Sequence, residues 1–362
     1  MRSCCAAASW PTKVPSIKSP AISKTNAFPV SNPHRKKLHW SSPMPNSNLF
    51  EALYDSIGLS PHDLRNDPNI AHIEIHHNHV LGVHLVPGLQ ADAKETKDGI
   101  EAKIKVEKNA VIEKPIQICF GMMPETGLQQ IVLDMEIEEN ARAGIFAYCT
   151  FPNARNIRHE MDAVLKIGAG AEYSYSERHV HGAGGGVIVA PKSKVHVLEK
   201  GRYSTDFELI RGRVGEIDID VEVIGEAWSV SEVTARISGS GNDRIVIHET
   251  AHLVGEGARG VLNSHIALRD TARAEIYNTL TASAPYARGH VDCKEIVQDE
   301  AVAKAVPIVE VNHPKAHVTH EAAIGSVDSK QLETLLSRGI TEDDAVDLII
   351  QGLLSKPRSV AA

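Results

Sequence analysis

Apolar residues recur at every second position over most of this chain, beginning at about residue 71. The stretch from Glu216 to Val223, for example, reads E-I-D-I-D-V-E-V. Because successive side chains of a strand point to opposite faces, this alternation predicts strands with one buried and one polar face. The chain is therefore expected to be mainly β.

A short repeat separates these predicted strands. The unit is an apolar residue, three mostly polar or glycine residues, then a small residue, any residue, and a small or apolar residue. Its copies begin at Val106, Ile137, Ile167, Val254, Leu268 and Val297. Each copy predicts the end of a strand, a tight corner, and a small residue where successive turns of the chain stack closely.

The spacing of the copies indicates a solenoid. Copies are often about 30 residues apart, as from Ile137 to Ile167, which is typical of one coil of short strands. One intermediate step of 14 residues argues mildly against a strict solenoid. The expected core is a β-solenoid, either a parallel β-helix or an elongated stacked sheet, and the alternative is an antiparallel sandwich.

The hydrophobic period changes again near the C-terminus. Lys330–Leu336 has a helical pattern that Gly339 ends, and Thr341 can cap a second helix over Glu342–Ile350, whose first turn is acidic. This hairpin is too short to bury its own apolar face. The face is therefore expected to dock on the end of the solenoid or on a partner, and it consists of Ala345, Leu348, Ile349 and Leu353.

Composition separates the first 46 residues from the rest. They contain seven Lys or Arg, seven Pro and no Asp or Glu. Such a segment buries too little apolar surface to offset its ordering entropy, so a disordered tail is expected, and its bias equally fits an organelle transit peptide. Residues 47–70 have a helical pattern that Ser47 could cap.

Bulk charge excludes some classes of partner. The net charge of the 362 residues is −8 and the isoelectric point is near 6.2, so neither nucleic acid nor a membrane surface is an expected partner. No apolar run approaches the roughly 18 residues of a transmembrane helix. The five cysteines have no regular spacing, which favours reduced thiols in a cytosol-like compartment.

The strongest candidate chemistry lies at Cys293, His320 and Glu321. Cys293 and His320 are 27 residues apart, close to one coil, so the two positions are expected on neighbouring coils. A thiolate, an imidazole and a carboxylate could together ligate iron or zinc. Glu295 shares the predicted face of Cys293 and would disfavour a thiolate unless a cation is present. The alternative is a buried structural cysteine.

Two other features of the sequence are candidate binding sites. His179 and His181 share one predicted strand face and could bind a metal or ligand. The glycine-rich stretch from Gly182 to Gly186 is not followed by Gly-Lys-Ser/Thr and predicts a turn rather than a phosphate-binding loop. Any ATP dependence would then have to come from a partner.

Four motifs in the C-terminal third carry a family resemblance. They are R-G-H-V-D-C at Arg288–Cys293, P-I-V-E-V at Pro307–Val311, V-T-H-E-A-A-I-G at Val318–Gly325 and S-R-G-I-T-E-D-D-A at Ser337–Ala345. In these motifs the chain resembles the SufB/SufD family, the scaffold subunits of the SUF iron–sulfur cluster assembly system. The resemblance covers roughly residues 70–354, and the chain looks like the compact, archaeal-type SufB-like members.

The resemblance implies a right-handed parallel β-helix with small helical elements at both ends. The implied divisions are a tail or transit peptide (1–46), a helical element (47–70), the β-helix core (71–318) and a C-terminal helical region (319–362). Subunits of the family dimerise along the edge of the β-helix, and this chain could form a homodimer or pair with another SufB/SufD-type subunit.

The resemblance also assigns partners and sites. A SufC-type ABC ATPase is expected to dock on the C-terminal helices, at positions that include Arg338, Gly339, Ile340, Leu348 and Ile349. Nascent clusters are expected to form transiently at the dimer interface, on residues that match Cys293, His320 and Glu321. The chain itself is then a scaffold rather than an enzyme.

Three hypotheses follow from the sequence. The first is a cluster-assembly scaffold driven by a partner ATPase, in the cytoplasm, or in a plastid or mitochondrion if residues 1–46 are a transit peptide. The second is a metal-dependent β-helix enzyme that uses His179, His181 or His320. The third is a structural repeat protein whose helical cap binds partners.

Overall fold

The structure is a computed structural model, and it describes residues 67–355 together with the single residue Asp55. Within residues 67–355 the chain forms nineteen strands followed by two helices. The strands are β1 (His72–His76), β2 (His79–His84), β3 (Leu89–Glu95), β4 (Gly99–Val106), β5 (Ile116–Gly121), β6 (Thr126–Ile137), β7 (Arg142–Phe151), β8 (Asn156–Ile167), β9 (Glu172–His181), β10 (Val187–Val197), β11 (Arg202–Arg211), β12 (Gly215–Gly225), β13 (Val230–Gly239), β14 (Arg244–Leu253), β15 (Arg259–Leu268), β16 (Arg273–Ala282), β17 (Arg288–Val297), β18 (Val302–Val311) and β19 (His317–Gly325). The helices are α1 (Ser329–Leu336) and α2 (Glu342–Leu354).

The strands alternate between two sheets, which is the topology of a β-helix. One sheet has the order β19-β17-β15-β13-β11-β9-β7-β5-β1-β2, and the other has the order β18-β16-β14-β12-β10-β8-β6-β4-β3. From β4 onward, neighbouring strands in each sheet are parallel. The chain therefore winds through about eight turns, which confirms the predicted solenoid and excludes the antiparallel sandwich. Only the hairpins β1–β2 and β3–β4, at the start of the described stack, are antiparallel.

The repeat seen in the sequence forms the corners of the solenoid. Ala141, Ala171, Ala258 and Ala272 each follow a strand end and are at most 1% exposed, because adjacent coils pack directly against them. Asn140, just before Ala141, has a left-handed φ of 56°, a conformation that asparagine tolerates better than most residues. Small side chains at these positions let the backbone turn sharply without separating the coils.

The 14-residue step has a simple structural origin. Val254 directly follows β14, whereas Leu268 ends β15. The step therefore separates the two corners of a single coil, and both corners carry the same motif. It is half of a coil rather than an interruption of the solenoid.

Side chains along each strand alternate between the interior and the exterior. In β16, Ala274, Ile276, Leu280 and Ala282 face inward and are at most 2% exposed. The core is thus a column of small and branched apolar side chains. Asn278 is also fully buried and is a polar interruption of this apolar row.

α1 has its predicted bounds to within one residue, and α2 begins at Glu342 as predicted but continues to Leu354, four residues beyond its predicted end at Ile350. Asp328 caps α1, and Gly339, with φ of 84°, follows its last turn. Thr341 caps α2, and its Oγ1 accepts a hydrogen bond from the backbone N–H of Asp344 over 3.3 Å. Local capping chemistry is sufficient to define this hairpin.

Only part of the predicted apolar face of α2 docks on the solenoid. The helix buries Ala345, Ile350 and Leu354, while Leu348 stays 47% exposed. Ile350 and Leu354 pack against Ala267, on the outward face of β15. The hairpin therefore docks on the side of the solenoid, and its buried stripe is rotated from the one that helical periodicity suggested.

Two predictions fall on residues that the structure does not describe. The tail or transit peptide of residues 1–46 lies wholly outside the described residues. So does the helical element of residues 47–70, apart from Asp55 and a turn at 67–70 that leads into β1. Among residues 67–355, neither helix has the length and apolar character that crossing a membrane requires.

Candidate functional site

Cys293 lies at the centre of β17, with its side chain inside the solenoid and no exposed surface. β17 pairs with β15 and β19, which places Ser264 and Ala322 beside Cys293 in one inward row. Val291 and Glu295 also face inward, as the alternation predicted. Because β19 is the last strand of its sheet, the thiol is buried only one strand from the end of the stack.

Buried polar side chains connect Cys293 to deeper coils. Asn278, from the facing sheet, donates through Nδ2 to Cys293 Sγ over 3.6 Å and to Ser264 Oγ over 2.9 Å. Ser264 Oγ donates in turn to Glu249 Oε2 over 3.4 Å. Each of these residues is at most 1% exposed. Most buried polar groups in proteins are hydrogen-bonded, and these contacts provide partners for Ser264 Oγ and for the amide nitrogen of Asn278.

The surroundings of Cys293 hold its thiol protonated. Burial, and then the nearby carboxyls of Glu295 and Glu249, raise the pKa of Cys293 to about 12. A thiolate is therefore unfavourable at neutral pH unless a cation compensates its charge. This is the effect that the sequence predicted from the position of Glu295.

Glu295 is a buried member of the site whose side chain makes no hydrogen bond. It is 2% exposed, and neither of its carboxyl oxygens has a hydrogen-bond partner. Burial, followed by repulsion from Asp292, raises the pKa of Glu295 to about 7. A buried thiol and an orphaned carboxyl on one inward face form an arrangement that a bound cation would stabilise.

His320 lies on the strand next to Cys293 and on the same face. β19 places His320 in register with Val291, two residues from Cys293 along β17. With strands about 4.8 Å apart and a rise of about 3.3 Å per residue, the two Cα atoms are roughly 8 Å apart. His320 is exposed, because no further strand covers β19. The 27-residue spacing thus placed the pair correctly on neighbouring coils.

Glu321 is not brought together with Cys293. It is in register with Asp292, and residues of this parity face outward. Asp292 accepts hydrogen bonds there from Lys294 Nζ over 2.8 Å and His265 Nε2 over 3.4 Å. The carboxyl group on β17 that shares the interior face with Cys293 is instead that of Glu295.

The last coil is open. Val309 and Val311 are in register with Leu280 and Ala282, which are fully buried, yet they are 37% and 49% exposed. Ile324, in register with Glu295, is 49% exposed. The interior face of the solenoid therefore reaches the surface at β18 and β19, beside His320.

Comparison with known proteins identifies the family. The model described as "SUF system FeS cluster assembly, SufBD core domain" matches residues 124–353. This chain belongs to the SufBD family. Its matched region runs from the start of β6 into α2, and so contains both Cys293 and His320.

Curated SufBD proteins are similar over most of their length. An iron–sulfur cluster assembly SufBD family protein of Methanocaldococcus jannaschii is 37% identical over 282 residues, which are 78% of this chain and 89% of the relative. One from Pyrococcus horikoshii is 33% identical over 288 residues, 79% of this chain and 87% of the relative. The iron–sulfur cluster assembly protein SufB of Bacillus subtilis is 22% identical over 262 residues, 69% of this chain and 54% of the relative.

The C-terminal hairpin of this SufBD chain leaves much of its surface free. Of the positions expected to bind a partner, Arg338, Gly339 and Leu348 are exposed, and Ile340 and Ile349 are half-buried. These residues lie on the connection between α1 and α2 and on the face of α2 turned away from β15. The surface is accessible to a partner without rearrangement of the hairpin.

The two other candidate histidines belong to a different part of the SufBD core. His179 and His181 lie in β9 and are 1% and 7% exposed. In the sheet order β9 is five strands from β19, which is about 24 Å at the usual strand spacing. They therefore cannot act together with His320 at one centre.

A cavity lies between the two sheets of the SufBD core. Its lining includes Glu177 and Phe207 from one sheet and Val221 and Glu249 from the other. Glu249 belongs to the hydrogen-bonded chain that ends at Cys293. The polar part of the interior therefore extends well beyond the last coils.

Sequence reasoning missed Glu249, Ser264 and Asn278, although a signal was present. Each stands at the middle of an otherwise apolar inward row, in β14, β15 and β16 respectively. A polar residue that breaks such a row must find a partner inside. Which residue faces it across the interior depends on the path of each coil, and the sequence pattern does not provide that information.

Proposed function

We propose that this chain is a scaffold subunit on which iron–sulfur clusters are assembled, at a dimer interface formed by the open end of the solenoid and with a SufC-type ATPase as partner. The observation that carries the proposal is the placement of Cys293 and His320 on one face of adjacent strands at that end. The nascent cluster is the cargo of this process, and the chain itself is not the enzyme.

The chemistry of the site supports a cluster that forms and leaves. The pKa of Cys293 is raised by burial and by neighbouring carboxyls, so its thiolate is stable only while iron is bound. His320 supplies a borderline nitrogen ligand from the exposed strand β19. Two protein ligands cannot complete the coordination of a cluster, so the remaining ligands are expected from sulfide and from a second subunit.

The open end supports dimerisation. β18 and β19 are the outermost strands of their sheets, and each has an edge with unpaired backbone groups, which readily accepts another strand. The exposed interior side chains Val309, Val311 and Ile324 would be covered by a second subunit. Such an interface would enclose His320 and bring Cys293 close to its counterpart.

The C-terminal hairpin supports ATPase docking. α2 is fixed to the solenoid by Ile350 and Leu354, while Leu348 and the Arg338–Gly339 connection remain exposed. Force applied at the hairpin would be transmitted to β15, the strand that pairs with β17. Nucleotide-driven motion of a partner could thereby reach Cys293.

Anaerobic reconstitution with ferrous iron and sulfide tests the proposal. We expect the full chain to develop a sulfide-to-iron charge-transfer band and to retain iron and sulfide after desalting. Cys293→Ala should lose the band, because the thiolate ligand is gone. His320→Ala should retain less than half of the iron or lose the cluster within minutes of desalting.

A control variant separates the site from the strand that carries it. His317 is exposed and lies on β19, but its parity directs it to the opposite face from His320. His317→Ala should therefore assemble the cluster normally. Equal bands in wild type and in Cys293→Ala, with both proteins folded by circular dichroism, would contradict the assignment.

A further inference from the structure

A second cluster of potential metal ligands lies deep in the solenoid. Cys149 of β7, His159 of β8 and Glu177 of β9 place Sγ, a ring nitrogen and a carboxylate oxygen within 4.8 Å of one another. β7 and β9 are adjacent strands of one sheet, whereas β8 belongs to the facing sheet. The three residues are at most 5% exposed. The donors therefore converge from both walls of the interior.

His159 is the member with an unpartnered buried nitrogen. Its Nδ1 is fully buried and unpartnered, while its ring packs against Phe151 at a centroid distance of 5.1 Å and against Phe120 at 6.1 Å. These contacts fix the ring without satisfying its nitrogen. A buried imidazole that has an unpartnered nitrogen and lies in one group with a thiol and a carboxylate indicates a ligand site.

We propose that Cys149, His159 and Glu177 form a binding site for a divalent first-row metal ion of the Zn²⁺ or Fe²⁺ type. Sulfur, imidazole nitrogen and carboxylate oxygen are the ligand types that these borderline cations accept together. Tetrahedral ligands at 2.0–2.3 Å from a metal lie roughly 3.5 Å apart. Since the three donors lie within 4.8 Å of one another, each pair needs to approach by at most about 1.3 Å.

Charge balance favours the site in this apolar interior. Burial, and then Glu177, raise the pKa of Cys149 well above its usual value, so the metal-free thiol is protonated and donates to Glu177 Oε1 over 3.4 Å. On binding, the S–H bond breaks, the proton leaves to solvent, and the sulfur lone pair bonds the cation. One thiolate, one carboxylate and one divalent cation then sum to zero charge, which is what a site of low dielectric requires.

The imidazole and the carboxylate already have the protonation states that a metal needs. Burial, followed by the charge of His179, lowers the pKa of His159 to about 3, so the ring is neutral at physiological pH. Burial is the largest influence on Glu177 and raises its pKa, but the hydrogen bond with His179, the charges of His179 and His159 and the hydrogen bond from Cys149 together leave that pKa below its usual value. Only the thiol has to lose a proton.

His179 is a positioning residue for this site. Its Nε2 bonds Glu177 Oε1 over 2.7 Å, and its Nδ1 bonds His181 Nε2 over 3.1 Å. A second partner of this kind holds a ligating carboxylate in place. Because Glu177 also lines the internal cavity, a small exchangeable ligand could occupy the fourth position on the metal.

This site is independent of the proposed function at Cys293. In the sheet order, β7 is five strands from β17, which corresponds to about 24 Å. The metal would therefore be bound well away from the assembled cluster. Failure of cluster assembly in Cys293→Ala would leave this inference untouched, and failure of metal binding here would not affect cluster assembly.

Anaerobic titration of the full chain with Co²⁺, and separately with Zn²⁺, tests the proposal. We expect one equivalent of Co²⁺ to give a thiolate-to-cobalt charge-transfer band in the near ultraviolet. Zn²⁺ should displace the cobalt and raise the melting temperature. X-ray absorption of the zinc form should show one sulfur among nitrogen and oxygen neighbours.

Variants assign the ligands. Cys149→Ser should abolish the charge-transfer band and the melting shift. Glu177→Gln and His159→Gln keep side-chain size closely and should weaken Co²⁺ affinity by about tenfold or more. Cys293→Ala, and a variant in which Cys4 and Cys5 are both alanine, should bind cobalt like wild type.

Three results would contradict a metal site at Cys149, His159 and Glu177. A band that survives Cys149→Ser, or that disappears in Cys293→Ala or in the Cys4 and Cys5 variant, would place the metal elsewhere. A folded wild type that binds no stoichiometric Co²⁺ or Zn²⁺ would also overturn the proposal. Circular dichroism of Glu177→Gln guards against misfolding, because a folded variant with weakened binding can be explained only by the loss of a ligand.

Discussion

Several carboxyl groups are buried inside the solenoid, and Glu249 is one of those near Cys293. It is 1% exposed, and its Oε2 accepts from Ser264 over 3.4 Å. Burial raises the pKa of Glu249 to about 8, against a usual value of 4.5. The folded state therefore holds this proton over a pH range in which the unfolded chain releases it.

Glu249→Gln is expected to make stability less dependent on pH. Between pH 4.5 and pH 8 the wild type should lose stability as pH rises, by about 1.4 kcal/mol per pH unit for one proton. Glutamine can keep the contact with Ser264 but cannot ionise. The variant should therefore be near wild type at pH 5 and more stable by a few kcal/mol at pH 9. Urea unfolding at the two pH values measures the difference.

The matched control for this prediction is Glu232→Gln, which changes an exposed carboxylate on β13. Its stability relative to wild type should be the same at pH 5 and pH 9. Comparing each variant with wild type at the same pH cancels the other titrating groups. If the difference in unfolding free energy between Glu249→Gln and wild type does not increase with pH, the pKa of Glu249 is not raised.

At the scale of elements, one arginine fixes α2 to the solenoid. Arg236 of β13 is 4% exposed and donates through Nη1 to the carbonyl of Leu354, the last residue of α2, over 2.7 Å. Its other nitrogens bond both carboxyl oxygens of Asp206, over 2.9 and 2.8 Å, and Glu208 Oε2 over 2.8 Å. The same guanidinium thus forms ion pairs with two acids on β11 and holds the end of the helix.

Arg236→Met is expected to destabilise the chain and to release α2. Removing one partner from a buried ion pair typically costs about 3–5 kcal/mol, because the remaining charges lose their compensation. Thermal melting should show this loss, and hydrogen exchange should show reduced protection across α2. Arg236→Lys keeps the positive charge but loses the planar set of N–H donors, so an intermediate loss of stability is expected. Wild-type protection of α2 in Arg236→Met would disprove the anchoring role.

The same element shows what the sequence could and could not predict. Caps and helix bounds near Gly339 and Thr341 follow from local chemistry, and the structure confirms them. The face of α2 that docks on the solenoid does not follow from local chemistry, because it depends on Arg236 and Ala267, which come from coils distant in sequence. Periodicity alone favoured Leu348, which is exposed.

The candidate site, too, could be predicted only in part from the sequence. Inward parity and a coil of about 30 residues placed Cys293 and His320 on neighbouring strands, since a solenoid converts sequence spacing directly into spatial proximity. Contacts across the interior, such as Asn278 to Cys293 and His159 to Cys149, join opposite walls. They depend on where each corner places the next strand, and spacing along the chain does not provide that.

At the scale of the whole chain, the open end of the solenoid is its most consequential feature. In a repeat architecture each coil is stabilised by its two neighbours, so a terminal coil normally requires a cap. Val309, Val311 and Ile324 lie at interior positions but are 37%, 49% and 49% exposed. We expect the end to be covered by the same end of a second copy, because a two-fold contact of this kind pairs both edge strands at once.

Sedimentation velocity tests this arrangement. Wild type should sediment as a dimer at micromolar concentration, and Ile324→Lys or Val309→Lys should sediment as a monomer, because a charged ammonium would be buried without a partner at the interface. Neither change should unfold the chain, since both side chains are already substantially exposed. The matched control is Val164→Lys, at a 59% exposed valine on the outward face of β8, and it should remain dimeric. A monomeric wild type, or a dimer that survives Ile324→Lys, would show that two copies of the chain do not meet at the open end.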